Sequence, residues 1–515
     1  MNCFKLNNLK QIWITAAMCL VVISIKYNAN LCPCFAFEKP KTITVYSDRD
    51  PTKTKYGIYS TESEASFFIT SGCYDTLFEW NPQTGTYVPQ LAKSWSFKSP
   101  NSIVVKLRDG VHFHNGKLLT SEDVVESFKY INRIAEFSRL MLASIERITA
   151  LDTNTLLIQL RQPDPLLIRR LSLWLRIYPC AQGYCNTLAA KMELPGTGPW
   201  KYLRREGNVF LFQANDRHWS GKVKPGSVLK VITDGMASLK NIESRDDELI
   251  VVDGLSWRER LAAKKYYDLN IIKTESGYAD FGIFNMLAKD TIVRDIRIRK
   301  AINYALDRDA LVRIVYRELV KATPSISITT DGGHDNTLEI YEYNLVKAKE
   351  LLQQYQEEYP KKPLEIRIGM QSDGDVYERL AKYFTTSLAQ VGIKVIRNYG
   401  YKVEHHVYDY KDAVDVVLGG DPSPYGHFDF FVQNFFIKGS LFQMLDDKMI
   451  TEDYAKLRML KSESEADVVF KNIDKMIHDQ HMAIPGVEYH RLVAYDQEVS
   501  VRPIHSSMSL LKYIQ

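Results

Sequence analysis

Apolar residues recur along this chain at two periods, and each period marks a different kind of element. Thr42 to Tyr46 (TITVY) is a β-rich run that stops at Asp48-Arg49-Asp50-Pro51, which predicts a strand ending in a turn. Residues 103–113 (IVVKLRDGVHF) predict a hairpin folded at Asp109-Gly110, with a second turn at Asn115-Gly116. Thr120-Ser121-Glu122-Asp123 is a capping-box pattern with Thr120 as N-cap and Asp123 at N3, and Val124, Phe128 and Ile131 continue it at helical spacing. In the second half the periods alternate. Leu345 to Tyr355 predicts a helix and Leu364 to Met370 a strand; Val376 to Val391 predicts a helix closed by Gly392. Ile393 to Ile396 and Ala413 to Leu418 are strands. Strand, helix and strand in that succession make a βαβ unit, whose crossover is right-handed and whose strands are parallel. Ligands of such sheets sit beyond the carboxyl ends of the strands, so the segment after Leu418 is a candidate site on topology alone. The segments interleave with no Gly/Ser linker, so any lobes are built from separated pieces of chain.

The first 36 residues read as a leader rather than as fold. Lys5 and Lys10 form a basic start, Ile12 to Ile25 is an apolar run, and Cys34-Phe35-Ala36 supplies small residues at −3 and −1 of a signal-peptidase site. The run is short for a bilayer span of about 20 residues. The expectation is export to the periplasm, with a retained or lipidated N-terminal tether as the minority alternative. Removing Lys5, Lys10 and Lys26 takes the formal net charge from +4 to +1, so the basicity belongs to export. No basic run is interleaved with aromatics, so nothing points to a nucleic-acid partner and none is expected. At 45% hydrophobic and 25% charged over 515 residues, the chain is globular and large enough for a core without metal or crosslinks. Of the cysteines outside the leader, Cys180 and Cys185 are close enough to bridge, which leaves Cys73 odd.

Catalytic signatures are absent. There is no G-x-S-x-G elbow, no H-E-x-x-H helix and no G-x-x-x-x-G-K-[ST] loop. Gly196-Thr197-Gly198 starts like a dinucleotide fingerprint, but Lys201 stands where its third glycine belongs. Ser509-Leu510-Leu511-Lys512 matches S-x-x-K without companion motifs. His112, His114 and the adjacent His405-His406 do not supply the three or four ligands a metal centre needs, so they read as solvated or hydrogen-bonded side chains. No metal and no cofactor are expected. The 30 tyrosines hint at a ligand-facing surface.

Several segments together resemble the peptide/nickel class (family 5) of extracellular solute-binding proteins that serve ABC importers, the oligopeptide- and dipeptide-binding proteins among them. Tyr74 to Trp80 followed by Val88 to Trp95 is similar to that family's "Y-x-x-L … P-x-L-A-x-S-W". Leu107 to Gly116 and Leu119 to Val124 resemble "L-R-x-G-V-x-F-H-x-G … L-T-A-x-D-V". Gly196 to Trp200 with Asn215 to Trp219 resembles "G-T-G-P-Y … N-x-x-Y-W", and Phe284-Asn285 with Asp295 to Arg308 resembles "F-N … D-x-R-V-R-x-A-I-x-Y-A-I-D-R". The resemblance implies an α/β protein of two lobes hinged about a ligand cleft. Lobe I would comprise 37–68, 196–287 and 480–515, with 69–195 inserted as a subdomain, and lobe II would comprise 288–479.

It also implies a function: a periplasmic, monomeric binding protein that captures oligopeptides and hands them to a membrane permease, without covalent chemistry. Asp421, in Gly419-Gly420-Asp421-Pro422, matches the position whose aspartate pairs with the ligand α-ammonium in peptide-binding members. The surroundings depart from the family pattern, which carries Trp shortly before the acid and Tyr or Asn after it. Tyr425 and His427 are the further lining candidates in that loop, and Glu62 is a candidate after the first strand. Other readings keep the fold and change the ligand to a nickel chelate, haem, cell-wall peptide or oligosaccharide. An exported hydrolase, or a degenerate binding protein that contacts only a receptor, are the readings from other classes.

Overall fold

The computed structural model describes residues 41–51, 64–81, 84, 86–187, 194–221, 223–233, 239, 248–255, 257–274, 277–317, 320–370, 375–399, 413–440, 442–501 and 507–514. The leader, Glu62 and His405-His406 lie outside them. Two mixed sheets organise the protein. The first has seven strands in the order Asn270–Lys273, Leu492–Tyr495, Glu248–Asp253, Thr42–Ser47, Val228–Ile232, Val209–Ala214 and Trp200–Glu206. Thr42–Ser47 lies in the middle, parallel to both neighbours, with Ile43, Thr44, Val45 and Ser47 buried on its two faces. That two-sided burial is why it reads as a continuous β-rich run rather than an alternating one.

The second sheet has six strands in the order Lys321–Ala322, Ala483–Tyr489, Tyr278–Phe284, Val416–Pro422, Glu365–Met370 and Lys394–Tyr399. Glu365–Met370 runs parallel to both Lys394–Tyr399 and Val416–Pro422, as the βαβ reading requires. The intervening helix Asp375–Ala389 buries Leu380, Ala381, Phe384 and Leu388 against this sheet. Each fully buried Leu or Phe contributes about 1.5–3 kcal/mol, so this one stripe fixes the helix to its strands. Gly392 adopts φ 87° beyond the helix end, where the Ile393 amide donates to the Leu388 carbonyl.

A four-stranded antiparallel sheet, ordered Ala92–Ser99, Ser102–Leu107, Thr155–Leu160 and Ile145–Asp152, accompanies the first lobe. Helix Ser121–Ile134 starts at the expected box: the Thr120 amide and hydroxyl both donate to Asp123 Oδ2, at 3.0 and 2.9 Å. The hairpin expected over 103–113 is not there. Ser102–Leu107 pairs instead with the strands on either side of it, and Asp109-Gly110 only redirects the chain. The small hairpin closes at Asn115-Gly116, where Phe113 and Lys117 pair and His112 bridges Leu118. Cys180 and Cys185 are bridged, with Cα atoms 4.9 Å apart. Cys73 is buried, and burial pushes its thiol up to about 12.

Two chain segments connect the main sheets. One passes from Asn270–Lys273 to Tyr278–Phe284, and the other from Ala483–Tyr489 to Leu492–Tyr495. They are pinned together at the crossing: the Thr274 amide donates to the Arg491 carbonyl at 3.0 Å, and the Arg491 amide to Thr274 Oγ1 at 3.1 Å. Tyr278–Phe284 and Ala483–Tyr489, which the expected boundaries placed in lobe I, hydrogen-bond within the second sheet. Among the described residues no helix is long and apolar enough to cross a membrane.

Candidate functional site

The crossing segments gather ionisable side chains where the central strand of the first sheet ends. Strand Thr42–Ser47 delivers Ser47, and Asp48 and Arg49 follow it. Asp253, fully buried at the end of the neighbouring strand, is the hub. It accepts from Ser47 Oγ at 2.9 Å, Arg49 Nη1 at 3.2 Å and Arg491 Nε at 2.8 Å. Burial alone would raise this carboxyl, but the Arg49 and Arg491 guanidiniums hold it below the usual carboxylate range. Arg49 also meets Glu64, 2.7 Å from its Nε, and donates to the Tyr278 hydroxyl at 3.2 Å. Tyr278 donates in turn to Glu64, and its ring stacks on Tyr489 with centroids 5.3 Å apart. Arg491 reaches Asp48.

The second lobe supplies the facing groups. Asp421 does not lie in a loop: the strand continues to Pro422, and Asp421 pairs in register with Ala279. It is half-buried. Across the same strands Asp280 opposes Gly420, and the space is taken by the carboxylate, since a Cβ on Gly420 would stand 1.8 Å from Asp280 Oδ1. This accounts for the glycine where the family pattern departs. Asp280 is 3% exposed and accepts from the Tyr316 hydroxyl at 2.7 Å, and burial pushes its carboxyl up to about 7. Tyr377, from the first turn of helix Asp375–Ala389, lies in the field of both lobes. Burial pushes its phenol well above the usual range, and the Asp280, Asp421 and Glu64 carboxylates add to the push. With Asp280 largely protonated, Asp48, Glu64, Asp253 and Asp421 still outnumber Arg49 and Arg491 around this crossing. Such an arrangement attracts a cationic group on a ligand that bridges the lobes.

Tyr425 and His427 are not beside Asp421 but in a separate buried contact. Tyr425 is 1% exposed and donates to Asp429 Oδ2 at 2.8 Å. His427, fully buried, meets Asp467 Oδ1 at 3.0 Å and accepts the Asp429 amide on Nδ1. Burial holds its ring below the usual imidazole range, so it sits there neutral. Both serve the seam with helix Leu167–Trp174. From that helix Arg169 donates to the Tyr425 and Gly426 carbonyls at 2.8 and 3.2 Å, and Arg170 to Asp429 at 2.9 Å. The expectation that these two line a pocket with Asp421 is corrected: their polar atoms are committed within the protein. Arg49, Glu64, Asp280 and Tyr377 were missed by sequence reasoning. The available signal was Asp48-Arg49-Asp50-Pro51, three charges directly after a predicted strand.

The nearest thing to a catalytic constellation is Ser327, His334 and Asp474, all buried. Ser327 Oγ lies 2.6 Å and Asp474 Oδ2 3.2 Å from the same ring nitrogen, Nδ1. A proton relay needs the nucleophile and the acid on opposite nitrogens, so this cluster is structural. His114 is likewise structural: its ring nitrogens meet the Gly198 carbonyl and the Gly196 amide at 2.9 and 3.2 Å, and burial takes it down to about 4. Among the described residues no group of three or more His, Cys, Asp or Glu is placed to hold a metal ion.

Residues 86–442 match the family described as "Bacterial extracellular solute-binding proteins, family 5 Middle". The chain is 24% identical over 311 residues to Heme-binding protein A of Haemophilus influenzae, a match covering 54% of this chain and 55% of that one. It therefore spans little more than half the length of that relative. Di/tripeptide-binding protein 2 of Pseudomonas aeruginosa is 22% identical over 502 residues, covering 87% of this chain and 89% of the relative. Among solved structures, the periplasmic binding protein DppA from Helicobacter pylori in complex with the peptide STSA superposes with a TM-score of 0.77. The match has 19% identity and covers 92% of this chain and 97% of that one. The two-lobed architecture is thus shared with periplasmic binding proteins.

Proposed function

Because the chain belongs to the family 5 bacterial extracellular solute-binding proteins, we propose that it captures short peptides between its lobes and passes them to the permease of an ABC importer. The observation that carries this reading is the acidic crossing, where Glu64 from one lobe and Asp421 from the other act on the same Tyr377. A peptide brings an α-ammonium to such a place, and a desolvated charge pair there strengthens only when both lobes engage it. An anionic chelate or haem propionate would meet a carboxylate excess, which favours the peptide over the non-peptide ligands the fold also accepts. The rings of Tyr278, Tyr377 and Tyr489 supply apolar contact with polar ends. The protein acts outside the cytoplasm, as a monomer, and turns nothing over.

Native mass spectrometry of residues 37–515, purified without denaturation from the exporting cell, tests the ligand class. Bound masses of a few hundred daltons that fragment into amino-acid residues support it; bound haem or a metal chelate overturns it. Asp421→Ala is expected to weaken the captured peptide by about 1.5–3 kcal/mol, the worth of a hydrogen bond to a charged group. Unchanged affinity by isothermal titration calorimetry removes Asp421 from the site.

A further inference from the structure

A cavity lies at the seam between the four-stranded-sheet region and the second lobe, lined by none of the residues of the crossing. Its volume is about 330 Å³, within the range of small-molecule sites. One wall is residues 161–166 with the end of helix Glu136–Met141; the other is Gln433, Tyr454, Leu457 and Arg458. The lining combines apolar side chains, among them Pro163, Pro165, Leu166 and Leu457, with three guanidiniums.

Those guanidiniums are not equivalent. Arg170 is buried and saturated, donating to Asp164 Oδ2 at 2.9 Å and to Asp429 Oδ2 at 2.9 and 3.3 Å. Arg161 and Arg458 are exposed, one on each wall, and neither makes a side-chain hydrogen bond or ion pair among the described residues. The one acid in the lining, Asp164, is already bound by Arg170 and by Ser144 Oγ at 2.6 Å. Gln433 leaves its side-chain carbonyl buried without a partner while its amide donates to the Leu140 carbonyl. The lining thus combines apolar side chains, one unused acceptor and two exposed cations, one contributed by each wall. Guanidiniums bind carboxylates and phosphates through paired, charge-assisted hydrogen bonds.

We propose that this seam cavity is a binding site, separate from the cleft, for a small organic anion whose charged head is held between Arg161 and Arg458 and whose apolar body meets the apolar lining. Such a ligand joins residues 161–166 to residues 454–458 and so ties together two parts of the molecule that otherwise meet through side chains. Occupancy raises peptide affinity, and peptide raises anion affinity by the same factor, because the two sites share one arrangement of the lobes.

Adipate, phenyl phosphate and inorganic phosphate, titrated calorimetrically into the full mature protein, test it. Saturable binding of adipate or phenyl phosphate tighter than about 1 mM is expected, at least tenfold tighter than inorganic phosphate. Which of the two organic probes binds better identifies the head group. The Arg161→Gln/Arg458→Gln double variant is expected to lose about tenfold per guanidinium. The Lys264→Gln/Lys265→Gln double variant, which removes the same charge elsewhere, leaves affinity unchanged. Bound ligand is expected to slow amide exchange on both walls, at 161–166 and at 454–458. Absence of saturable binding, equal binding of inorganic phosphate, equal losses in the two double variants, or protection on one wall only would each overturn the proposal. None of these outcomes depends on the cleft ligand being a peptide.

Discussion

Asp280 faces Gly420 across two antiparallel strands, and that single pairing decides how the residues at the crossing behave. The unfolded chain titrates this carboxyl near 3.8, whereas burial pushes it up to about 7 in the fold. Between those values the folded state binds more protons than the unfolded state, so its contribution to stability falls as pH rises from about 4 to about 7 and is level above that. Asp331, also raised to about 7 by burial, adds a slope of the same sign. His114 works the other way, losing stability as pH falls from 6.5 towards about 4. Asp280→Asn is therefore expected to flatten the decline between pH 4 and 7 by about half of what the two carboxyls impose together, with its largest gain at and above pH 7. Urea unfolding at a series of pH values measures this; an unchanged slope means that Asp280 is ionised in the fold. At this scale the sequence pointed to Asp421, whose strand pairs with Tyr278–Phe284 beside the crossing. It was misleading for Tyr425 and His427, because proximity along a chain does not say which face a turn presents. Asp280 sits within an apolar strand, YADFGIF, where nothing local marks it as ionisable machinery.

Among elements, the segment around Gly196-Thr197-Gly198 shows why a motif needs its neighbours. It is no phosphate loop. The Gly198 amide donates to the Cys73 carbonyl and the Trp200 amide to the Gly72 carbonyl, both at 2.9 Å, so two backbones lie against each other. A Cβ on Gly196 would stand 1.8 Å from the Cys73 carbonyl oxygen. Gly196→Ala is expected to cost more than about 3 kcal/mol, since the obstacle is backbone rather than a flexible side chain. Gly116→Ala meets no atom within 4 Å and has only its positive φ against it, so it should cost about 1–2 kcal/mol. Thermal unfolding of the two variants separates these cases; equal losses would mean that the 72–73 contact yields. Periodic elements were readable in the sequence because period and caps are local: the Thr120 box, the helix after Asn344 and the order of the βαβ succession stand as their patterns put them, although its last strand runs Val416–Pro422 rather than 413–418. The 103–113 hairpin failed because Asp109-Gly110 specifies a turn but not the partner of the strand before it. Ser102–Leu107 found two longer strands to pair with.

For the whole molecule the question is what moves against what. The four-stranded-sheet region is joined to the first lobe by main-chain hydrogen bonds at residues 72–73 and 198–200. To the second lobe, among the described residues, it is joined through side chains: Tyr87 to the Tyr425 carbonyl, Arg169 to Glu463, and Arg170 to Asp429. The boundaries expected at 287/288 and 479/480 could not be placed from sequence, because a strand that leaves one sheet for another carries no compositional break. The crossings instead lie between residues 273 and 278 and between 489 and 492. Were the lobes to open about those crossings, the side-chain contacts would part and the main-chain ones would hold. Arg170 and Asp429 are both buried, and removing one partner of a buried pair costs about 3–5 kcal/mol. Arg170→Met is therefore expected to weaken peptide binding at least tenfold although Arg170 is placed at the seam rather than at the crossing, because the closed arrangement alone bears the uncompensated charge. Asp429→Asn in that background removes the stranded carboxylate while leaving an oxygen for Tyr425 and Tyr454, and affinity should recover in part. Calorimetric peptide titration of the four proteins in this cycle gives the coupling. Full peptide affinity in Arg170→Met, alongside a lowered unfolding free energy, would show that this region and the second lobe remain together when the cleft opens.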